Sequence, residues 1–523
     1  MVSRLKFQSL IGASLGLVLV VSLVTPASAE DAFNPDVTPT PDGGATFLVG
    51  EDGANIHFST LTAGNRDGAQ WTCDSVNDPE CTRSKADYIN GNSILKVCTS
   101  SADRNCIVRL ELAGEDGIFQ PATYVRNATG MSFPANANTG FMGATTPSLW
   151  SAPLVPSKSG TTDYAVIVRA ENQMNWSSGS FETRGLIASV VPYRPLQGDY
   201  KDPYQFTTDK NHRGTRGIAI GGHGYQCAWV ETGTCGVLQD FAPNTRVRLT
   251  VRISSEIGGW FKGRIKNPVI SVSRTVSGMN DITVEAAPAE VPRMVYQTTI
   301  ANLTPTERKY AMDNGMAGIW EENFKTWARA GDASSFQYVN YLRTKIRDTT
   351  AGVNTMWNFT SSQQESANPC LGDTSQVLGI VTTNSMIYNG GIPQFRNGFL
   401  NYEVAGLHYQ PDGITKVQGS YDLVMRSEVA RCLYGFSRAP LSATISVIGE
   451  GDRSIATTIV SEKNGWLKLA AYGFTFSKKT IRAKITRAKP TRIVCVSVAD
   501  ESKVRNIRAI NPRCPKGFEQ RRR

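Results

Sequence analysis

The chain has 523 residues, 40% of them hydrophobic and 19% charged, with a formal net charge of +10. That balance excludes a disordered chain and supplies enough apolar surface for several folded domains. Four His restrict imidazole-dependent chemistry, and 47 Gly with 25 Pro favour strands and tight turns over long helices.

Arg4 and Lys6 precede an apolar run from Leu10 to Val24 that closes on Ala27-Ser28-Ala29. This order predicts a secretory signal peptide over residues 1–29. A membrane anchor needs about 18 to 20 apolar residues, more than this run offers, and no later segment reads as a transmembrane anchor. The mature chain is therefore expected to be secreted, extracellular or retained at the cell surface. Residues 30–44 are rich in Pro, Thr, Asp and Gly, a composition that predicts an extended spacer.

A β-rich body is predicted over residues 45–295, as one large sandwich or two smaller ones. Strand-like runs occur at Tyr164 to Arg169, Gly185 to Val191, Thr245 to Ile253, Val269 to Val272 and Ile282 to Glu285, separated by Gly, Pro, Asn and Asp. From Arg246 to Ile253 polar and apolar residues alternate, which predicts a strand with Val247, Leu249, Val251 and Ile253 inward and three Arg outward.

All ten Cys follow the predicted signal peptide. Spacing does not fix the connectivity; adjacent pairing, the assignment with fewest assumptions, makes five bridges: Cys73 with Cys81, Cys98 with Cys106, Cys227 with Cys235, Cys370 with Cys432, and Cys495 with Cys514. The second and third of these are expected to close hairpins. Zinc binding prefers shorter Cys spacings and a reducing compartment, so no metal and no cofactor is expected.

Residues 296–362 predict a helical linker. Thr304, Pro305 and Glu307 form a capping box, and Met316, Ile319, Trp320, Phe324 and Trp327 recur at helical spacing. Ser334 and Gln337 open a second helix carrying Phe336, Val339, Leu342 and Ile346. Short, evenly spaced strands return over residues 363–490, among them Leu423 to Met425, Ala443 to Ile448, Ile455 to Val460, Trp466 to Leu469 and Ile481 to Ile485, predicting an immunoglobulin-like sandwich. The expected fold class is mainly β, with antiparallel β-sandwich domains and a short helical pair between them.

Residues 491–523 form a basic disulfide tail. From Lys478 to the end, 15 Lys and Arg face only Asp500, Glu501 and Glu519, so the excess positive charge is local. Lys503, Arg505, Arg508, Arg513, Lys516, Arg521, Arg522 and Arg523 are the candidate surface-binding residues. They suit an anionic cell-wall polymer or glycan through salt-screened attraction. Nucleic acid is not the expected partner, because the tail lacks interleaved aromatics.

The ending Arg492-Ile493-Val494-Cys495-Val496, then Ile510-Asn511-Pro512-Arg513-Cys514-Pro515-Lys516-Gly517-Phe518, resembles the C-terminal tail of many secreted actinobacterial proteins. Tyr421 to Met425, Ala430 to Phe436, Asn464-Gly465-Trp466 and Gly473 to Phe476 resemble an uncharacterised module that often precedes it. The resemblance covers roughly the last quarter of the chain and implies source and location, not chemistry. Asp500-Glu501 stands where that pattern carries Lys-Gly-type turns.

His57, His212, His223 and His408 are scattered, and Glu321 with Glu322 are adjacent rather than paired across a cleft. No P-loop, dinucleotide fingerprint or Gly-x-Ser-x-Gly elbow is present. The expected function is therefore a secreted or cell-envelope-associated, non-catalytic protein of adhesion, glycan or surface binding. Trp150, Trp176, Trp260 and Trp466 are candidate sugar-stacking residues, with a core or hairpin role as the simpler reading. The alternative is a secreted polysaccharide hydrolase, which requires two carboxyls about 5 to 9.5 Å apart.

Overall fold

A computed structural model describes Thr40 and residues 42–521, except 51–56, 67–69, 199, 201–204, 209–215, 220–226, 255–258, 276–277, 314–322, 363–367, 437–440, 450–456, 477, 488–490 and 510–511. The predicted signal peptide, most of the spacer, His212, His223, Met316, Ile319, Trp320, Glu321, Glu322, Arg522 and Arg523 lie outside the described residues. Strand accounts for 55% of the structure and helix for 9%, as the turn-rich composition predicts.

One long sheet organises the chain. Its strands lie in the spatial order Thr60–Gly64, Tyr88–Ile94, Asp163–Asn175, Ser180–Gln197, Asn358–Ser362, Gly259–Arg274, Val377–Thr383, Gln418–Arg426, Trp466–Thr475 and Thr457–Lys463. Cys106–Ala113, Arg246–Ile253 and Asn280–Arg293 form a second sheet that packs on one face of it. The alternation predicted from Arg246 to Ile253 holds only as far as Leu249, because Thr250 and Arg252 on the other face are buried too. Val247, Leu249, Val251 and Ile253 are buried, while Arg246 and Arg248 pair with Glu285 and Arg252 pairs with Asp281.

The strand Gly259–Arg274 belongs to both sheets. Its first half pairs with Asn358–Ser362 and Val377–Thr383, and its second half pairs with Asn280–Arg293. The crossing falls at a register shift between Lys266 and Val269. Asn267 there takes a φ of 56°, which Asn tolerates better than most residues, and Pro268 has no N–H for a ladder. The ladder breaks at this point, so the strand can turn from one sheet into the other.

A third sheet, Ile387–Tyr388, Phe399–Ala405, Lys479–Arg487 and Leu441–Gly449, packs on the opposite face of the long sheet. Adjacent residues of the shared strands therefore enter different cores. Phe261, Ile380 and Val424 join the first core, whereas Trp260, Val381, Leu423 and Met425 join the second. Every residue of Val377–Thr383 is buried, which is why this run reads as continuously apolar rather than alternating. Gly379 is required by the packing, since a Cβ would lie 2.5 Å from both the Trp260 ring and the Val424 carbonyl oxygen. Backbone pairing thus runs directly between residues 45–295 and 363–490.

The segment 296–362 contains both predicted helices, Pro305–Asp313 and Ser335–Lys345. The capping box forms as expected: Thr304 N donates to Glu307 Oε2 at 2.8 Å, and Glu307 N donates to Thr304 Oγ1 at 3.2 Å. One expectation is overturned. Phe324 and Trp327 lie on the strand Phe324–Arg329, which pairs in parallel with Gly44–Gly50. Phe324, Thr326 and Ala328 are buried, a two-residue period that the three-residue spacing of the two aromatics concealed. This strand, the two helices, and Met386, Ile387, Ala405 and Leu407 enclose a third core. The helix Ser427–Tyr434 was not foreseen.

All five Cys pairs form as predicted. Cys227 and Cys235 close an antiparallel hairpin. Cys98 and Cys106 do not, because Lys96–Val97 runs parallel to Cys106–Ile107. That bridge instead ties a loop back alongside the strand it enters. Among the described residues, no helix is long and apolar enough to cross a membrane.

Candidate functional site

The basic C-terminal segment is a folded sheet. Thr491–Ser497 pairs with Val504–Ala509 on one side and with Phe518–Gln520 on the other. The apolar run Ile493 to Val496 and the turn at Asp500 to Ser502 specify the first pairing. Among the described residues, none of the six apolar clusters includes a residue of this unit, so cross-linking replaces a core. The Cys495–Cys514 bridge joins its central strand to the segment leading into the last one.

The register sets the electrostatics. Arg492 stands directly opposite Arg508, and like charges in that position repel. Arg492 Nε donates to Asn506 Oδ1 at 3.2 Å, which fixes the side chain but leaves the charge unbalanced. On the other face, Arg505 lies over the Phe518 ring at 4.6 Å. Lys503, Arg505, Arg508, Arg513, Lys516 and Arg521 are all exposed. Lys503 meets Asp500 at 3.2 Å within the turn, and Glu519 pairs with Val496 in the ladder, four residues from Arg492. The sheet can therefore present clustered cations to an anionic polymer. Arg492 was absent from the residues expected to bind, because the run after it is continuously apolar and its apposition with Arg508 is set by register.

The cluster of His408, Asp348 and Arg343 serves structure. His408 Nδ1 is 2.6 Å from Asp348 Oδ2, and Arg343 Nη2 is hydrogen-bonded to the same oxygen. His408 N donates to Asp348 Oδ1 at 3.1 Å. No hydroxyl or thiol is hydrogen-bonded to His408 among the described residues, so the pair clamps the end of the helix Ser335–Lys345 to the loop after Ala405 and lacks the nucleophile of a catalytic triad. Burial works to raise the Asp348 pKa, but the hydrogen bonds from His408 and Arg343 outweigh it and hold the carboxyl below its ordinary value.

A folded-state pKa lowered in this way contributes stability that is present above the ordinary value of 3.8 and lost as the pH falls through the depressed one. Asp348→Asn is expected to lower stability by about 2 kcal/mol at pH 7 and by much less at pH 3. Denaturant midpoints at the two pH values measure this, and an equal loss at both would contradict it.

Trp150 and Trp260 are buried, with their indole N–H groups donated to Ser148 Oγ and Leu371 O, so neither can stack on a sugar. Trp176 donates to Asp87 O at 2.8 Å, and Trp466 lies under Arg426. His57 is buried. Among the described residues, no cluster of three or more His, Cys, Asp or Glu could hold a metal ion. No known protein family, curated protein or solved structure matches the chain.

Proposed function

We propose that this chain is an exported protein that acts by binding, held on an anionic surface polymer or glycan by its C-terminal sheet. Residues 1–29 direct export, and five disulfides suit an oxidising compartment. The resemblance of the last quarter to secreted actinobacterial proteins supports the same location. The two facing layers within residues 363–490 support an immunoglobulin-like reading of that part. One observation carries the proposal: Arg492 and Arg508 oppose each other directly on a cross-linked sheet. An anionic partner relieves that repulsion, whereas a merely solubilising tail has no need to fold.

Cells producing the protein should release it when washed at high salt and retain it at low salt. The variant Arg492→Gln/Arg508→Gln should elute from a carboxylate-bearing matrix at clearly lower salt than the wild type. Release that ignores ionic strength, or identical elution of the two proteins, would remove the proposal.

A further inference from the structure

Along Asp163–Asn175, Val166, Val168 and Ala170 enter the first core, so Arg169 and Glu171 stand on the opposite face of the long sheet. Arg169 is only 3% exposed. Its Nε and Nη1 have no hydrogen-bond partner, and its Nη2 lies 3.5 Å from Glu171 Oε1. Glu171 is a distant partner. Its side chain is 46% exposed, and its other oxygen leans over Gly185, where a Cβ would come within 2.9 Å of it.

The other buried arginines differ. Arg252 holds both oxygens of Asp281 at 2.8 and 3.1 Å, and Arg264 is hydrogen-bonded to three backbone carbonyls. A guanidinium does not shed its charge in a protein, so Arg169 remains a buried cation with unmet donors. The groups beside it form a row across the sheet. Arg169 is opposite Ile187, Ile187 is opposite Thr360, and Thr360 is opposite Lys262. Directly paired residues share a face, and four strands span about 14 Å. Ile187 and Thr360 are half-buried, so the row reaches the surface beside Arg169, whose own unmet donors are covered.

We infer that this row is a binding site for a small oxyanionic ligand. Arg169 takes the oxyanion, Ile187 underlies its carrier and the Thr360 hydroxyl offers a further hydrogen bond. The site is independent of the C-terminal sheet and of the surface binding proposed for it. Carboxylate and phosphate share the required chemistry, and the experiment separates them.

The full chain is titrated at constant ionic strength with glucuronate, acetate and inorganic phosphate, following heat evolved and thermal unfolding. At least one oxyanion is expected to bind saturably and raise the melting temperature. The oxyanion that does so identifies the chemistry. Arg169→Met is expected to weaken that binding about tenfold or more while melting no lower than the unliganded wild type, because it removes an uncompensated buried cation. Arg492→Gln/Arg508→Gln should respond like the wild type, which excludes the C-terminal sheet as the source. Absence of saturable binding by the wild type would overturn the inference. So would binding retained by Arg169→Met, lost in the C-terminal variant, or a large drop in the melting temperature of Arg169→Met without ligand.

Discussion

Asp422→Ala is expected to cost about 3 to 5 kcal/mol of stability, the usual consequence of removing one partner from a buried charge pair. Asp422 is 1% exposed and lies where the strand Gly259–Arg274 crosses between sheets. It accepts the Asn267 N–H at 3.0 Å and the Tyr472 hydroxyl, and Lys468 Nζ lies 3.5 Å away. Lys468 also donates to the Asn267 side chain. The network therefore grips the one residue whose left-handed backbone makes the crossing possible. Burial pushes the Asp422 carboxyl above its ordinary range, while Lys468, the Tyr472 hydroxyl and the Asn267 N–H pull it back. Alanine leaves the hydroxyl and the amide without an acceptor and Lys468 without its counter-charge. Asp422→Asn keeps an acceptor and should lose roughly half as much. Guanidinium unfolding at pH 7 tests the pair of variants, and an Asp422→Ala midpoint close to wild type would show that the crossing is held elsewhere.

A loss of similar size, about 3 to 5 kcal/mol, is expected for Arg264→Ala. The chain leaves the long sheet after Thr383 and enters the third sheet at Ile387, and in between its carbonyls have no ladder to join. Arg264, fully buried, donates to Thr383 O at 3.1 Å, to Ser385 O and to Met386 O at 3.3 Å. Its guanidinium lies over the Tyr388 ring at 4.4 Å. Alanine leaves three buried acceptors unmet and opens a cavity among Tyr388, Tyr402 and Met386. Arg264→Lys retains the charge but not the planar fork, so it should recover less than half of the loss. If lysine proves fully equivalent, charge alone matters and the carbonyl account fails.

Local chemistry was legible wherever a short stretch carried its own constraint. The first half of the Arg246 to Ile253 alternation, the Thr304 and Glu307 capping box and the five adjacent Cys pairs each depend on neighbours a few residues apart or on a single simplest pairing. The helix at Ser427–Tyr434 was missed because Val429 and Ala430 are buried beside a run of apolar strands, which masks a helix of only eight residues. Phe324 and Trp327 were misread because a three-residue interval fits a helical face, while the buried two-residue set Phe324, Thr326 and Ala328 includes a Thr and so hides its strand period. The candidate site was half legible. The cations of the C-terminal segment stood out by composition, but the apposition of Arg492 with Arg508 depends on register.

The amino-acid sequence by itself determined the class of the fold and the placing of its positive charge, because these follow from periodicity and composition. Only the tertiary structure decided that Gly259–Arg274 serves two sheets, that Val377–Thr383 is buried on both faces, and that Arg169 is buried without an equal partner. Those outcomes rest on which distant strands hydrogen-bond to one another. Pairing of that kind is selected by the combined burial of both faces, a quantity that no local stretch of sequence contains.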